Sequence, residues 1–150
     1  MLKNDRMIAG AISGMLASVF QEIYANLTTV LGFSTRDFGD YAGVLVMSQN
    51  YQGLLAHFMQ LVAHVSVGAL FGIVFAALFR YATSNYWWLK GMIFGSILWV
   101  LLTGIGTLFK MPMWINIPPR AALDLYIGSI VFGFSTAFIL KYLDQRTELL

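Results

Sequence analysis

Four long apolar runs take up most of the length of this chain. They cover about residues 7–33, 54–79, 87–109 and 120–142, and polar residues flank each of them. A hydrocarbon core about 30 Å thick needs about 20 residues of α-helix, so each run is long enough to cross a bilayer. The sequence therefore predicts an all-α integral membrane protein with four transmembrane helices.

Composition agrees with this membrane assignment and excludes a soluble globular domain. Hydrophobic residues make up 59% of the 150 residues and charged residues only 11%, whereas soluble domains carry about 25% charged residues. So few charges cannot cover the water-facing surface of a small domain. The sequence contains no cysteine, which excludes disulfides and thiolate metal sites.

Basic residues between the runs predict how the spans are oriented. If both termini lie on one side, that side carries six basic residues and the other side three: Lys3, Arg6, Arg80, Lys90, Lys141 and Arg146 against Arg36, Lys110 and Arg120. Cytoplasmic flanks of membrane helices are enriched in Lys and Arg. The sequence therefore predicts cytoplasmic termini and a single domain, residues 1–150, in which the four helices form an antiparallel bundle of two αα-hairpins.

The connection at residues 34–53 is long enough to hold structure of its own. Apolar residues recur in it at near-helical spacing: Phe38, Tyr41, Leu45. This spacing favours a short helix at the outer membrane surface, capped by Ser34 or Thr35, and an irregular loop is the alternative. Two interfacial aromatic belts are expected from the positions of Tyr86, Trp87, Trp88 and Trp114.

Small residues recur at four-residue spacing and therefore share helix faces. In membranes such faces mark helix contacts, because small side chains allow backbones to approach closely. The predicted packing positions are Gly10, Gly14, Ser18, Gly68, Gly72, Gly91, Gly95 and Gly128. A weak parallel repeat is also indicated, in which Gly10-x-x-x-Gly14 matches Gly91-x-x-x-Gly95 and His64-x-x-x-Gly68 matches Asp124-x-x-x-Gly128.

Polar residues lie on the same faces and gather in the outer half of the predicted bundle. At about 1.5 Å per residue, Glu22 and His64 both fall about 4 Å outside the midplane. Asn26, Gln60 and Asp124 fall about 10 Å above it, and His57 lies near the outer interface. A buried carboxylate must be neutral, paired or hydrated. The pattern predicts an outward-facing polar site that binds a proton or small cation, with Glu22 and His64 paired at its floor.

A structural role is the alternative for each of these residues. Glu22 and His64 could serve only to lock helix packing by hydrogen bonds. His57 could simply be hydrated, and Asp124 could pair with Arg120 one turn earlier. The two histidines lie about 10.5 Å apart on one helix face, which excludes a bis-histidine haem within one chain and disfavours a zinc site. No catalytic group, metal or cofactor is expected.

Three motifs stand out in the second half of the chain: residues 64–76 (HVSVGALFGIVFA), residues 88–99 (WLKGMIFGSILW), and Asp124 four positions before Gly128. With these motifs, about residues 57–142 resemble the YagU-type family of bacterial inner-membrane proteins. The family's histidine in the last helix is replaced here by Gly128. The resemblance implies a multi-pass protein of the bacterial cytoplasmic membrane, in a family linked to acid tolerance.

Three functions are compatible with these observations, and none of them is enzymatic. The leading interpretation is a small inner-membrane protein whose Glu22 and His64 bind a proton or cation. The first alternative is a membrane scaffold or subunit, whose glycine faces pack against a second copy or a membrane-protein partner. The second is a proton-coupled exporter of small cations acting as a dimer, similar only in outline to small multidrug transporters. The lipid bilayer is an expected partner and nucleic acid is not.

Overall fold

The computed structural model describes residues 5–79 and 85–147, with side chains to residue 143, and in these residues the chain is helical with no strand. Five helices follow one another: α1 (Arg6–Val30), α2 (Phe38–Met47), α3 (Leu54–Phe79), α4 (Trp87–Leu108) and α5 (Pro119–Thr147). α1, α3, α4 and the Pro119–Leu143 part of α5 are long and apolar enough to cross a membrane. This confirms four long apolar helices at the predicted positions. Lys3, Arg80 and the side chain of Arg146, which entered the orientation prediction, lie outside the described residues.

Local chemistry fixes where α1 and α5 begin. The side chain of Asp5 accepts hydrogen bonds from the backbone N–H groups of Met7 and Ile8, at 3.0 and 3.1 Å, which caps α1. α5 begins at Pro119, where the fixed φ of proline suits a first helical position and its missing N–H costs nothing. Both starts agree with the predicted span boundaries to within a residue.

α1 is central to the packing of the spans, because it contacts both α3 and α5 while α4 packs on α5. The α1–α3 contact is made between backbones. A Cβ on Gly10 would lie 2.7 Å from the carbonyl oxygen of Gly72, and a Cβ on Gly14 would overlap the carbonyl oxygen of Gly68. Ser18 continues this contact, because its side chain lies against Gly68. Small residues are therefore a geometric requirement along this seam.

The α4–α5 contact uses a different α5 position from the one predicted. Gly91 and Gly95 lie against the backbones of Gly133 and Ser129, whereas Gly128 faces the ring of Tyr24 on α1. The predicted repeat is therefore off by one residue in α5. By their packing roles, residues 68–72 (GALFG) of α3 correspond to residues 129–133 (SIVFG) of α5. One residue turns a helix by about 100°, which is enough to move Gly128 to another face.

α2 forms as predicted, but its cap and its surroundings differ from the prediction. Asp37 is the N-cap, and it forms a capping box with Asp40. Ser34, one of the two predicted caps, donates its hydroxyl to the carbonyl of Arg36 instead. Six of the helix's residues are buried: Phe38, Gly39, Tyr41, Ala42, Gly43 and Val44. α2 packs against α3, so it belongs to the bundle and does not lie as a separate surface helix.

Trp114 does not contribute to an interfacial belt. Its side chain is 0% exposed, and it packs against α2, with ring centroids 4.5 Å from Tyr41 and 5.6 Å from Phe38. Tyr86 and Trp88 at the start of α4 are exposed, as a belt position requires. An apolar cluster centred on Trp114 therefore holds α2 in place.

Candidate functional site

A cavity of about 530 Å³ opens between α1, α2, α3 and the segments that flank α2. We call it the polar cavity. Its hydrogen-bonding and charged lining includes Glu22, Asn26, Arg36, Asp37, Asp40, Asn50, His57 and Gln60. Four of these are predicted site residues, namely Glu22, Asn26, His57 and Gln60. The structure therefore brings residues of the first two spans together around one space.

Glu22 projects from α1 toward the first turn of α2. A Cβ on Gly39 would lie 3.1 Å from Glu22 Oε2 and 3.0 Å from Asp37 Oδ1, so the two carboxylates flank the same glycine. Asn26, one turn along α1, donates to the backbone carbonyl of Glu22 at 2.9 Å and to Oε1 at 3.5 Å. The absence of a side chain at Gly39 leaves room for the Glu22 carboxylate at this wall of the cavity.

A chain of amide hydrogen bonds forms the opposite wall. His57 Nδ1 lies 2.9 Å from Gln60 Oε1, and Gln60 Nε2 donates to Asn50 Oδ1 at 3.0 Å. Arg36 lines the same cavity and donates to the carbonyl of Met113. The side chains of His57 and Gln60 are thereby tied to the segment that follows α2, which fixes the shape of the wall.

Asp40, on α2, is a residue of this site whose carboxyl has a shifted pKa. The pKa of the Asp40 carboxyl is raised from 3.8 to about 6, mainly because the group is buried and also because the negative charge of Asp37 lies nearby. Hydrogen bonds from the backbone of Asp37 and from Asn50, together with the charge of His57, act in the opposite direction. The carboxyl therefore changes charge in mildly acidic solution.

This raised pKa predicts a pH dependence of stability. A carboxyl that binds its proton more tightly in the folded state makes the free energy of unfolding fall as pH rises from about 4 to about 6. Asp40→Asn, which keeps an oxygen for the capping box, should remove this contribution. Thermal unfolding in detergent across that pH range measures it, with Tyr51→Phe, an exposed position without a carboxyl, as the control that keeps the slope. An Asp40→Asn slope equal to that of the parent would contradict the assignment.

His64 lies in a different space from Glu22. It lines a small chamber of about 30 Å³ with Ser18, Tyr41 and Phe38, among others, and we call this the histidine chamber. Within the described residues no hydrogen bond or ion pair joins Glu22 to His64. The predicted pairing is therefore not formed. The first turn of α2 accounts for this, because Gly39 faces Glu22 while Phe38 lines the histidine chamber.

Asp124 belongs to neither space and ties α1 to α5. It is 3% exposed and accepts hydrogen bonds from Tyr24 Oη at 2.8 Å and Thr28 Oγ1 at 3.2 Å. Arg120, the partner considered for it from sequence, stacks instead over the ring of Phe33 at 4.5 Å. Asp124 therefore serves the α1–α5 contact.

Removing one of these donors should weaken that contact. Tyr24→Phe is expected to lower the free energy of unfolding by about 0.6–1.7 kcal/mol, the range of hydrogen bonds between membrane helices. Tyr51→Phe, at an exposed tyrosine, is the matched control and should be neutral. Chemical unfolding in mixed micelles compares the two variants. Equal stability of both would show that the Tyr24 hydroxyl contributes nothing to the α1–α5 contact.

Sequence reasoning missed the acidic half of the polar cavity. No role was predicted for Asp37 and Asp40, although Asp-x-x-Asp before an apolar run resembles a capping box and could have placed the start of α2. The sequence around Arg36 and Asn50 contains no comparable motif that would place them at the site. In the part of the chain that the structure describes, no group of three His, Cys, Asp or Glu residues is arranged to hold a metal ion.

Comparison of the chain with protein-family models, with curated proteins and with solved structures gave no match.

Proposed function

We propose that this chain is a multi-pass protein of the bacterial cytoplasmic membrane whose polar cavity binds protons and small cations. The spans would form an antiparallel bundle with both termini in the cytoplasm. The α1–α3 seam supports the antiparallel direction, because Gly10 meets Gly72 while Gly14 meets Gly68. The excess of basic residues near the termini supports the orientation, and the resemblance to the YagU-type family supports the bacterial membrane.

The observation that carries the proposal is the charge of the cavity wall. The described residues that line the cavity include three carboxylates, those of Glu22, Asp37 and Asp40. The basic groups among them are the guanidinium of Arg36 and the imidazole of His57. A cleft lined mainly by one sign of charge, with low-dielectric walls, concentrates ions of the opposite sign. The site proposed from the structure therefore groups Glu22 with the carboxylates of Asp37 and Asp40 at the start of α2 rather than with His64.

The cavity lining also suggests how a cation would be held. Amide and carboxylate oxygens are the groups that replace part of the hydration shell of a hard cation, and Asn26, Asn50 and Gln60 supply amides beside the carboxylates. At about 530 Å³ the cavity is larger than a bare ion. A partly hydrated metal cation or a small organic ammonium ion fits this space, and either would compete with protons for the carboxylates.

The glycine faces favour this proposal over the scaffold alternative. That alternative assigned the small residues to contacts with a partner or a second copy. In the structure Gly10, Gly14, Gly91 and Gly95 are covered by α3 and α5 of the same chain. These faces are therefore already used within the bundle.

Competition between cations and protons provides the test. The purified protein in weakly buffered detergent at about pH 6 is mixed with sodium, potassium or tetramethylammonium chloride, and released protons are measured with a pH dye. We expect saturable proton release with at least one of these cations and none from protein-free detergent. Absence of saturable release with all three cations between about pH 5 and 8 would overturn the proposal.

A further inference from the structure

The histidine chamber lies one helical turn deeper in the bundle than the polar cavity. Along α1, Ser18 lines the chamber and Glu22, four residues later, lines the polar cavity. Along α3, His64 lines the chamber and Gln60 the polar cavity. Four residues of helix rise about 6 Å. The two spaces are therefore successive levels along α1 and α3, and residues of α4 and α5 also line the deeper one.

Two residues of the chamber lining carry a polar atom that lacks a partner. His64 is 6% exposed and Tyr41 is 2% exposed, and within the described residues neither His64 Nε2 nor Tyr41 Oη has a hydrogen bond of good geometry, although the backbones of Ser18 and Phe38 also lie close to the His64 ring. The serine hydroxyls of the lining are already used, because Ser18 donates to Gly14 and Ser129 to Leu125. Buried polar groups are rarely left unpaired in proteins. The residues that line this partly open space therefore carry two buried hydrogen-bonding atoms without a partner.

Size and lining select the molecule that can satisfy them. The chamber measures about 30 Å³, and a buried water needs about 10–15 Å³ measured in this way, so about two waters fit. The remaining wall is largely apolar, with Phe71, Leu98 and Phe132 among its residues. A bare cation would exchange its hydration shell for apolar contacts, which is unfavourable. The chamber suits a small neutral molecule that both donates and accepts hydrogen bonds.

We propose that the histidine chamber is a water-binding site that holds about two water molecules, with His64 Nε2 and Tyr41 Oη as their hydrogen-bonding partners. Water in this position satisfies both buried atoms at once. It also extends hydration one turn below the polar cavity, toward the middle of α1 and α3. If this water extends a path for protons from the polar cavity, that role rests on the proposed function. The hydration of the chamber does not, because it is argued from the residues of the chamber itself.

The two histidines of the chain make this testable by nuclear magnetic resonance. His57 and His64 are its only histidines, so protein grown with ring-¹⁵N histidine and placed in lipid nanodiscs gives two ring systems, which His57→Gln assigns. Magnetisation transfer from water to each ring is then measured. We expect transfer to both rings, with His57 in the open polar cavity as the internal positive control. A His64 ring that receives no magnetisation from water, while His57 does, would overturn the proposal.

Filling the chamber gives a second readout. Leu102→Phe adds volume to the lining and should reduce transfer to His64 at least about fivefold while leaving His57 unchanged. Leu101→Phe, at the neighbouring position that is 52% exposed, should change neither. Tyr41→Phe adds no volume, removes one partner of the waters, and should lower transfer to His64 and shift its Nε2 resonance. If Leu102→Phe folds and His64 keeps its full transfer, or if Tyr41→Phe changes nothing, the water is not in this chamber.

These outcomes are independent of the proposed function. Proton release on cation addition reports on the polar cavity and should be unchanged in Leu102→Phe. Hydrated His64 without proton release would leave the chamber assignment standing and remove the cation site. Proton release with a dry His64 would do the reverse.

Discussion

Gly14→Val should lower the free energy of unfolding by about 3 kcal/mol, near the upper end of the usual cost of overpacking a core. A Cβ at Gly14 would overlap the carbonyl oxygen of Gly68 and lie 2.9 Å from the Cα of Gly72. These are backbone atoms, which cannot rotate away as a side chain can. α1 and α3 would have to separate along the seam that holds them together. For a chain of this length the loss corresponds to a decrease of about 6–12 °C in unfolding temperature.

Gly104 on α4 provides the matched control. A Cβ built there meets no atom within 4 Å, so Gly104→Val changes composition and helix propensity in the same way without a clash. Fluorescence-detected thermal unfolding in the same detergent compares the two variants. We expect Gly104→Val to unfold within about 2 °C of the parent, because surface changes away from contacts are usually worth less than about 0.5 kcal/mol. If both variants unfold at one temperature, the α1–α3 backbone contact is not as described.

Glu22→Gln should weaken cation binding by about 10-fold to 100-fold without unfolding the protein. Hydrogen bonds to charged groups contribute about 1.5–3 kcal/mol, which corresponds to that range of affinity. Glutamine has nearly the same shape, and its amide oxygen can still accept from Asn26, so packing against Gly39 is kept. Proton release on cation addition measures the affinity, and thermal unfolding of the same sample measures the fold.

Two controls separate this carboxylate from other charges. Asp5→Asn removes a carboxylate at the start of α1, outside the polar cavity, and should leave cation affinity unchanged. His64→Ala should also leave it within about twofold, because His64 lines the other chamber. Unchanged cation affinity in Glu22→Gln, or a loss in His64→Ala as large as in Glu22→Gln, would count against the site as built from the structure.

The parts of the fold that depend on local sequence could be predicted, and those that depend on tertiary packing could not. The length and hydropathy of each apolar run determine whether it can form a helix long and apolar enough to span a membrane, and the four long helices were located to within a few residues. The α2 helix followed from spacing alone. Its burial did not, because it depends on Trp114, which is distant in sequence and packs on Tyr41.

The site shows the same division. Helix face and depth correctly grouped Glu22, Asn26, His57 and Gln60 around one space. They could not show that the first turn of α2 lies between Glu22 and His64, since two coordinates on two helices say nothing about a third element. Asp124 was assigned to the cluster by helix face and depth, whereas a hydrogen bond from Tyr24 directs it to the α1–α5 contact.

We propose that Glu22 lies in a hydrated, cation-attracting cavity open to one side of the membrane. The native chain has no cysteine, so Glu22→Cys gives a single thiol whose reaction with a cationic and an anionic methanethiosulfonate reagent can be timed from each side of sealed vesicles. We expect reaction from the side of the α2 segments only, about tenfold faster or more with the cationic reagent, and reaction of Asn85→Cys from the opposite side. A Glu22→Cys thiol that reacts with neither reagent, or faster with the anionic one, would contradict the account.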